Sequence, residues 1–177
     1  DLVGNVDSKT FTFSCWVYVG KYIGTSQISL FVIRGSGGTR FNVYTDGAGS
    51  NLNFIATNSA GTQILNAFSA SDTIPQNTWL NLEISVDLAN SSNRSVYIND
   101  KLLSMTWSIY TNDTINFADA TTNIEIGVNN LIYYWYRGRL SNLFLDYTYR
   151  DLSIEANRRL FITADGKPAD GLASLNP

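Results

Sequence analysis

A chain of 177 residues is long enough for one domain with a substantial core, and 44% hydrophobic residues with 13% aromatics exclude a disordered chain. Only 15% of residues are charged and the net charge is −3, so no basic field draws in phosphate backbones or anionic lipid; nucleic acid and membrane are not expected partners. The absence of His removes the usual general base and the commonest zinc or copper ligand, and with them whole classes of enzyme.

In chain order, the alternation of apolar and polar residues predicts strands over 10–19, 27–34, 39–45, 51–57, 62–67, 78–88, 94–99, 101–109, 122–128 and 139–147. In the first, Phe11, Phe13, Cys15 and Val17 share one face, which makes the single cysteine an inert, buried thiol. Glycine-rich breaks at 35–38, 46–49 and 60–61 separate the next strands, and Pro75 closes a loop before the central one. There Leu80, Leu82, Ile84 and Val86 alternate with Asn81, Glu83, Ser85 and Asp87, and Trp79, at the strand's start, is expected to be a folding residue in the core. Asn99 and Asp100 stand between two short apolar runs, as a two-residue hairpin requires. One helix follows, with Ser153 as its cap, Glu155 in the first turn, Arg158 and Arg159 in the last, and Ile154, Leu160 and Phe161 on its buried side. Many strands and almost no helix indicate an all-β sandwich, with one domain over 1–161 and an extended exit segment or tether over 162–177. The chain begins at Asp1 without a charged-then-apolar leader, as expected of a mature or excised piece.

Three segments in order resemble the laminin-G-like branch of the concanavalin A-like jelly rolls. They are Phe11-Thr-Phe-Ser-Cys-Trp-Val17; Trp79 through Asp87 followed by Val96-Tyr-Ile-Asn-Asp-Lys101; and Ile126-Gly127 with Tyr136-Arg-Gly-Arg-Leu140 and Arg150-Asp-Leu-Ser-Ile-Glu155. The resemblance implies a two-sheet antiparallel jelly-roll sandwich with one short C-terminal helix. It places Tyr136 in the core before Gly138, and it departs from the family at Ser141 and Asn142, where an acidic pair is frequent. The segment Arg159-Leu-Phe-Ile-Thr-Ala-Asp-Gly-Lys-Pro168 is similar to tails of such domains in bacteriophage virion proteins. The function so implied is a non-catalytic recognition or assembly module at a virion surface, decorating a capsid or sitting on a tail fibre. Its expected partners are surface glycans or neighbouring subunits, in a homo-oligomer or multi-copy assembly. A structural docking domain that binds no sugar is the alternative.

Glycoside hydrolases share this jelly roll, and Glu83 and Asp87 do lie on one strand face. Four residues of strand rise separate their Cα atoms by about 13 Å, more than an acid and its partner require, and Ser85 stands between them. A solvated or hydrogen-bonded strand face is the expectation there. Asp46 in its glycine-rich loop, and Asn112, Asp113, Asn116 and Asp119 in another, offer oxygens either to calcium or to ordinary Asx turns; no other cofactor is expected. The densest aromatic run, 131–136, leaves Tyr133, Tyr134 and Trp135 as candidates for contact with a ligand or partner, since consecutive residues of a strand cannot all face the core.

Overall fold

The computed structural model describes residues 6–20, 27–46, 50–119, 123–128, 136 and 138–171. Among them, β1 (Thr10–Val19), β2 (Ile28–Gly35), β3 (Gly38–Asp46), β4 (Asn51–Thr57), β5 (Gln63–Ser69), β6 (Trp79–Asp87), β7 (Arg94–Ile98), β8 (Lys101–Leu102), β9 (Met105–Tyr110), β10 (Asn123–Ile126) and β11 (Gly138–Asp146) precede a helix, α1 (Glu155–Arg158). The strands form a five-stranded sheet, β11-β1-β6-β7-β8, and a six-stranded sheet, β10-β2-β3-β4-β5-β9, antiparallel throughout. Packed face to face, they make the jelly-roll sandwich. No helix among the described residues is long and apolar enough to cross a membrane.

Period-two alternation builds the core directly. Phe11, Phe13, Cys15, Val17 and Val19 of β1 meet Phe41, Phe54 and Leu65 from the facing sheet, and the Phe11 and Phe41 rings stand edge to face at 4.9 Å. Burial pushes the Cys15 thiol pKa up, so the thiol stays protonated. The half-buried Tyr136 packs against this core and its hydroxyl donates to the Tyr18 carbonyl at 2.6 Å. Gly138 lies so close that a Cβ there would fall 2.0 Å from that same carbonyl oxygen. Asn99 and Asp100 adopt φ of 49° and 64°, the left-handed pair of a tight hairpin turn.

The strand expected over 101–109 is two strands. β8 stays beside β7, the chain leaves that sheet at Leu103 and Ser104, and β9 pairs with β5 in the other sheet. Leu103, Met105, Trp107 and Ile109 keep the period-two alternation across the crossing, and the adjacent pair Leu102-Leu103 is the one break in it, so periodicity reads the two strands as one.

A second departure shapes the molecule's surface. Alternation assigns the outward face of β1 and β6 to solvent, yet Thr12, Ser14, Asn81, Glu83 and Ser85 are buried. Residues 150–171 fold back across it as a strap whose Leu152 and Phe161 pack with Phe144, Leu160 and Tyr97 in a second apolar cluster. Polar stitches hold the strap down. The Arg150 N–H donates to Ser85 Oγ at 3.0 Å, the Trp16 indole N–H donates to the Phe161 carbonyl at 3.2 Å, and Arg158 and Arg159 both pair with Asp100. Beyond α1 the chain does not run out as a simple extended tether over its described part, because Ile162 is buried and bridges to Pro168. The helix itself is uncapped: Ile154 holds the N-cap position, 52% exposed, and the Ser153 N–H donates to Asp151 Oδ1 at 2.9 Å. An Asx turn at Asp151 leads the chain into the helix, and the capping bond expected of Ser153 is not made.

Candidate functional site

The strap covers only part of the outward face. Where β6 begins and β1 ends, the register aligns Trp79, Tyr18 and Arg139 in one row across β6, β1 and β11, all on the side away from the core. Trp79 is 39% exposed, its ring centroid 5.8 Å from that of Tyr18, and the Arg139 guanidinium sits 5.7 Å from the Tyr18 centroid. In the next row Trp16 lies between Asn81 and Ser141. Its indole is only 6% exposed and its N–H is committed to Phe161, so it is fixed as a floor.

The strap's last turn forms the opposite wall. The Thr163 N–H donates to the Lys167 carbonyl at 2.8 Å, the Gly166 N–H returns to the Thr163 carbonyl at 3.0 Å, and Gly166 takes φ of 75°, which suits glycine. A cleft of about 310 Å³ results, lined by Trp16, Trp79, Ser141, Gly166, Lys167 and Pro168. Two indoles supply apolar area; Lys167, one of whose N–H groups pairs with Asp165 at 2.7 Å, and the neighbouring Arg139 supply donors at the rim, while the Ser141 hydroxyl donates to Asn142 Oδ1 at 2.5 Å and is left as an acceptor. A flat apolar platform with polar groups at its edge suits a ligand with one apolar face and a hydroxylated perimeter.

The expectation that Trp79 belongs to the core is thus corrected. Leu80, Leu82, Ile84 and Val86 point inward, so Trp79 shares the other face with Asn81 and Glu83. The signal is present in the sequence: Trp16, Tyr18 and Trp79 are aromatic residues at the polar phase of their strands.

The carboxylates singled out in sequence have other environments. Glu83 is fully buried beneath the strap and neither of its oxygens has a hydrogen-bond partner among the described residues, which overturns the solvated or hydrogen-bonded face expected there. Burial raises its pKa to about 8, against the lowering effect of Arg158 and Arg159. Asp87 caps the turn after its strand, accepting from the Ala89 N–H at 2.9 Å and Asn93 Nδ2 at 3.1 Å. Asp119 is held by Arg40 at 3.0 Å, both side chains nearly buried. Asp113 accepts from Asn58 Nδ2 at 2.8 Å and the Thr114 N–H at 2.7 Å, contacts that hold its carboxyl below the usual range, the Asn58 bond first. Asn112 accepts from Lys9, and the Asn116 N–H donates to the Thr57 carbonyl. Asp46 ends β3 opposite Asn51. Among the described residues no three acidic or cysteine side chains gather where they could hold a metal ion. Tyr133, Tyr134 and Trp135 lie outside the described residues.

Residues 2–143 match the model of the Concanavalin A-like lectin/glucanases superfamily, in its laminin G group. The chain belongs to this superfamily. No curated protein matches its sequence. Solved structures with a similar fold include a botulinum neurotoxin type C structure described by its interaction with two ganglioside molecules (15% identity, 81% of this chain and 34% of that one, TM-score 0.57). Another is the Ruminococcus gnavus IT-sialidase CBM40 bound to α2,3-sialyllactose (12% identity, 83% and 79%, TM-score 0.55). A third is the binding domain of botulinum neurotoxin DC in complex with rat synaptotagmin II (13% identity, 81% and 33%, TM-score 0.55). This lectin-like chain therefore spans about a third of the length of the neurotoxin chains it matches. At these identities the likeness is one of fold.

Proposed function

We propose that this domain is a non-catalytic glycan-recognition module whose ligand stacks on Trp79. The observation that carries the reading is the exposed indole, backed by Tyr18 and facing a cleft floored by Trp16. Such an indole takes the apolar face of a sugar ring, and the donors at the rim take its hydroxyls. The fold neighbours described by ganglioside and sialyllactose binding support the ligand class. Catalysis by the Glu83 and Asp87 pair is disfavoured because the strap shuts Glu83 away from any substrate while Asp87 holds a turn.

Stacking on one platform adds only about 0.5 to 1.5 kcal/mol beyond burial, and millimolar binding requires about 4 kcal/mol, so a single site binds weakly. Multi-copy display makes such a site effective through local concentration. The surface of a virion, implied by the resemblance of 159–168, is the setting we propose. Docking on a protein is the second reading, favoured by the mostly apolar lining of the cleft and by the neurotoxin neighbour in complex with synaptotagmin II.

A ligand that binds only the native state raises the unfolding temperature, by an amount corresponding to about 2.7 kcal/mol at a hundredfold excess over Kd. Thermal unfolding in the presence of a glycan panel should therefore show stabilisation by a subset of sugars at tens of millimolar. Trp135→Ala, run in parallel, tests the aromatic run. Stabilisation by no glycan, together with retention of a protein partner, would favour the docking reading.

A further inference from the structure

The strap closes the outward face of β1 and β6 over polar groups that it leaves unmatched. Glu83 meets it from the middle of β6, aligned with Ser14 of β1 on one side and Tyr97 of β7 on the other, and is wholly buried. Asn81, the next outward residue of β6, is buried as completely. Both Glu83 oxygens, both polar atoms of the Asn81 amide and Arg159 Nη1 are shut off from solvent with no hydrogen-bond partner among the described residues. Unpaired buried polar atoms are costly, so the docked strap is opposed at this point even while Glu83 is neutral.

The charges around Glu83 balance without it. Arg158 and Arg159 reach over it from α1, and Asp100, in the turn between β7 and β8, accepts from both. Arg158 also donates to the Leu152 and Ser153 carbonyls and lies 4.8 Å from the Tyr97 ring centroid, and Arg159 donates to Glu155 Oε1 at 2.6 Å. On β1 the facing residue, Ser14, is uncharged. One outward position further along β6, the Arg150 N–H binds Ser85 and its guanidinium pairs with Asp146 of β11 at 2.6 Å. Every guanidinium beside Glu83 is thus already matched by another carboxylate, and an ionised Glu83 is a surplus negative charge where water does not reach.

Lifting the strap admits that water. Burial raises the Glu83 pKa to about 8, so the docked form keeps its proton at neutral pH, while a solvated Glu83 ionises near 4.5. Between these values each pH unit multiplies the ratio of released to docked strap by about ten, and the ratio levels off above pH 8. The same segment runs directly into the cleft. The Phe161 carbonyl holds the Trp16 indole N–H at 3.2 Å, and two residues later the turn of 163–168 begins, the wall opposite Trp79.

We propose that residues 150–171 form a pH-sensitive strap, docked while Glu83 carries its proton and released when that carboxyl ionises, and that its release takes away one wall of the Trp79 cleft. The consequence for binding rests on the recognition reading of that cleft; the release itself does not. Hydrogen exchange of the whole chain without ligand, from pH 5 to 9 and corrected for intrinsic rates, tests it. The probes are the Arg150, Phe161 and Ile162 amides and the Trp16 indole N–H, with the amides of β3 and β4 reporting global unfolding. The expected result is that the strap probes are at least tenfold less protected than those strands at each pH. In the wild type they should lose at least a further tenfold between pH 6 and 8 and then level off, and in Glu83→Gln their protection should change less than twofold. Should Glu83→Gln disturb the fold, the carboxyl carbon shift of Glu83 in the wild type replaces it, and strap protection should level off where that carbon titrates. Strap protection equal to that of β3 and β4 overturns the proposal, because the strap then opens only with the whole domain. Protection that holds or rises with pH overturns it as well, since an ionised Glu83 would then have captured Arg159 Nη1 and kept the strap in place. An equal loss in Glu83→Gln, or a loss that does not follow the Glu83 carbon, does the same. Release as expected, with no glycan stabilising the protein at any pH, would uphold the strap and sink the recognition reading.

Discussion

At neutral pH the Glu83 carboxyl is mostly protonated, because burial beneath the strap raises its pKa from 4.5 to about 8. In the unfolded chain it ionises near its ordinary value, so between these two values the unfolded state has lost a proton that the folded state keeps. Its contribution to stability is therefore fully present below about pH 4.5, falls as pH rises, and is lost by about pH 8. A tenfold change in proton affinity corresponds to about 1.4 kcal/mol, so the stability lost across that window is a few kcal/mol. Unfolding midpoints measured from pH 5 to 8 should fall more steeply in the wild type than in Glu83→Gln, which has no proton to lose. Parallel profiles would place the carboxyl in contact with water. Gly138 makes a steric prediction at the same scale: a Cβ 2.0 Å from the Tyr18 carbonyl cannot be accommodated without moving β1 or β11. Gly138→Ala should destabilise by about 2 kcal/mol or more in denaturant titration, in the manner of an overpacked core.

Among the elements, the strap depends on the hairpin turn beneath it. Asp100, in the left-handed conformation of that turn, accepts from both Arg158 and Arg159, and the Arg159 bond is the larger cause of its lowered pKa. These pairs are partly exposed, so Asp100→Ala should cost only about 1 kcal/mol globally. Its local signature is sharper: amide exchange over 152–162 should accelerate while β1 and β6 remain protected, and uniform exchange across all three would show that the strap is anchored by its apolar cluster alone. The strands themselves are legible from alternation, β1 and β4 to the residue, because each has one face committed to the core. The covering of the other face is not, since Asn81, Glu83 and Ser85 are polar residues that read as solvent-facing until a distant segment folds over them. The cap expected at Ser153 is missing for a local reason: Asp151, two residues earlier, accepts the Ser153 N–H in an Asx turn, and the helix starts one residue later with Ile154 at its N-cap.

For the whole molecule, the sandwich and the family are visible in the order of three motifs, whereas the cleft requires the register. Only the alignment of Trp79 with Tyr18 and Arg139, and the return of the strap to form a wall, bring residues from four separate stretches of chain to one place. Trp79 decides between a recognition site and an indole that merely belongs to the fold. With 39% of its surface exposed and one tilted ring contact among the described residues, its removal should cost about 1 to 2 kcal/mol, not the roughly 3 to 5 kcal/mol of a buried aromatic. The most direct test is to measure Trp79→Ala beside the wild type for both its unfolding midpoint and its affinity for a glycan that stabilises the wild type. A recognition site at Trp79 predicts a midpoint within a few degrees of wild type and at least a tenfold loss of affinity. Unchanged affinity in a folded variant, or a collapse of stability, would contradict it.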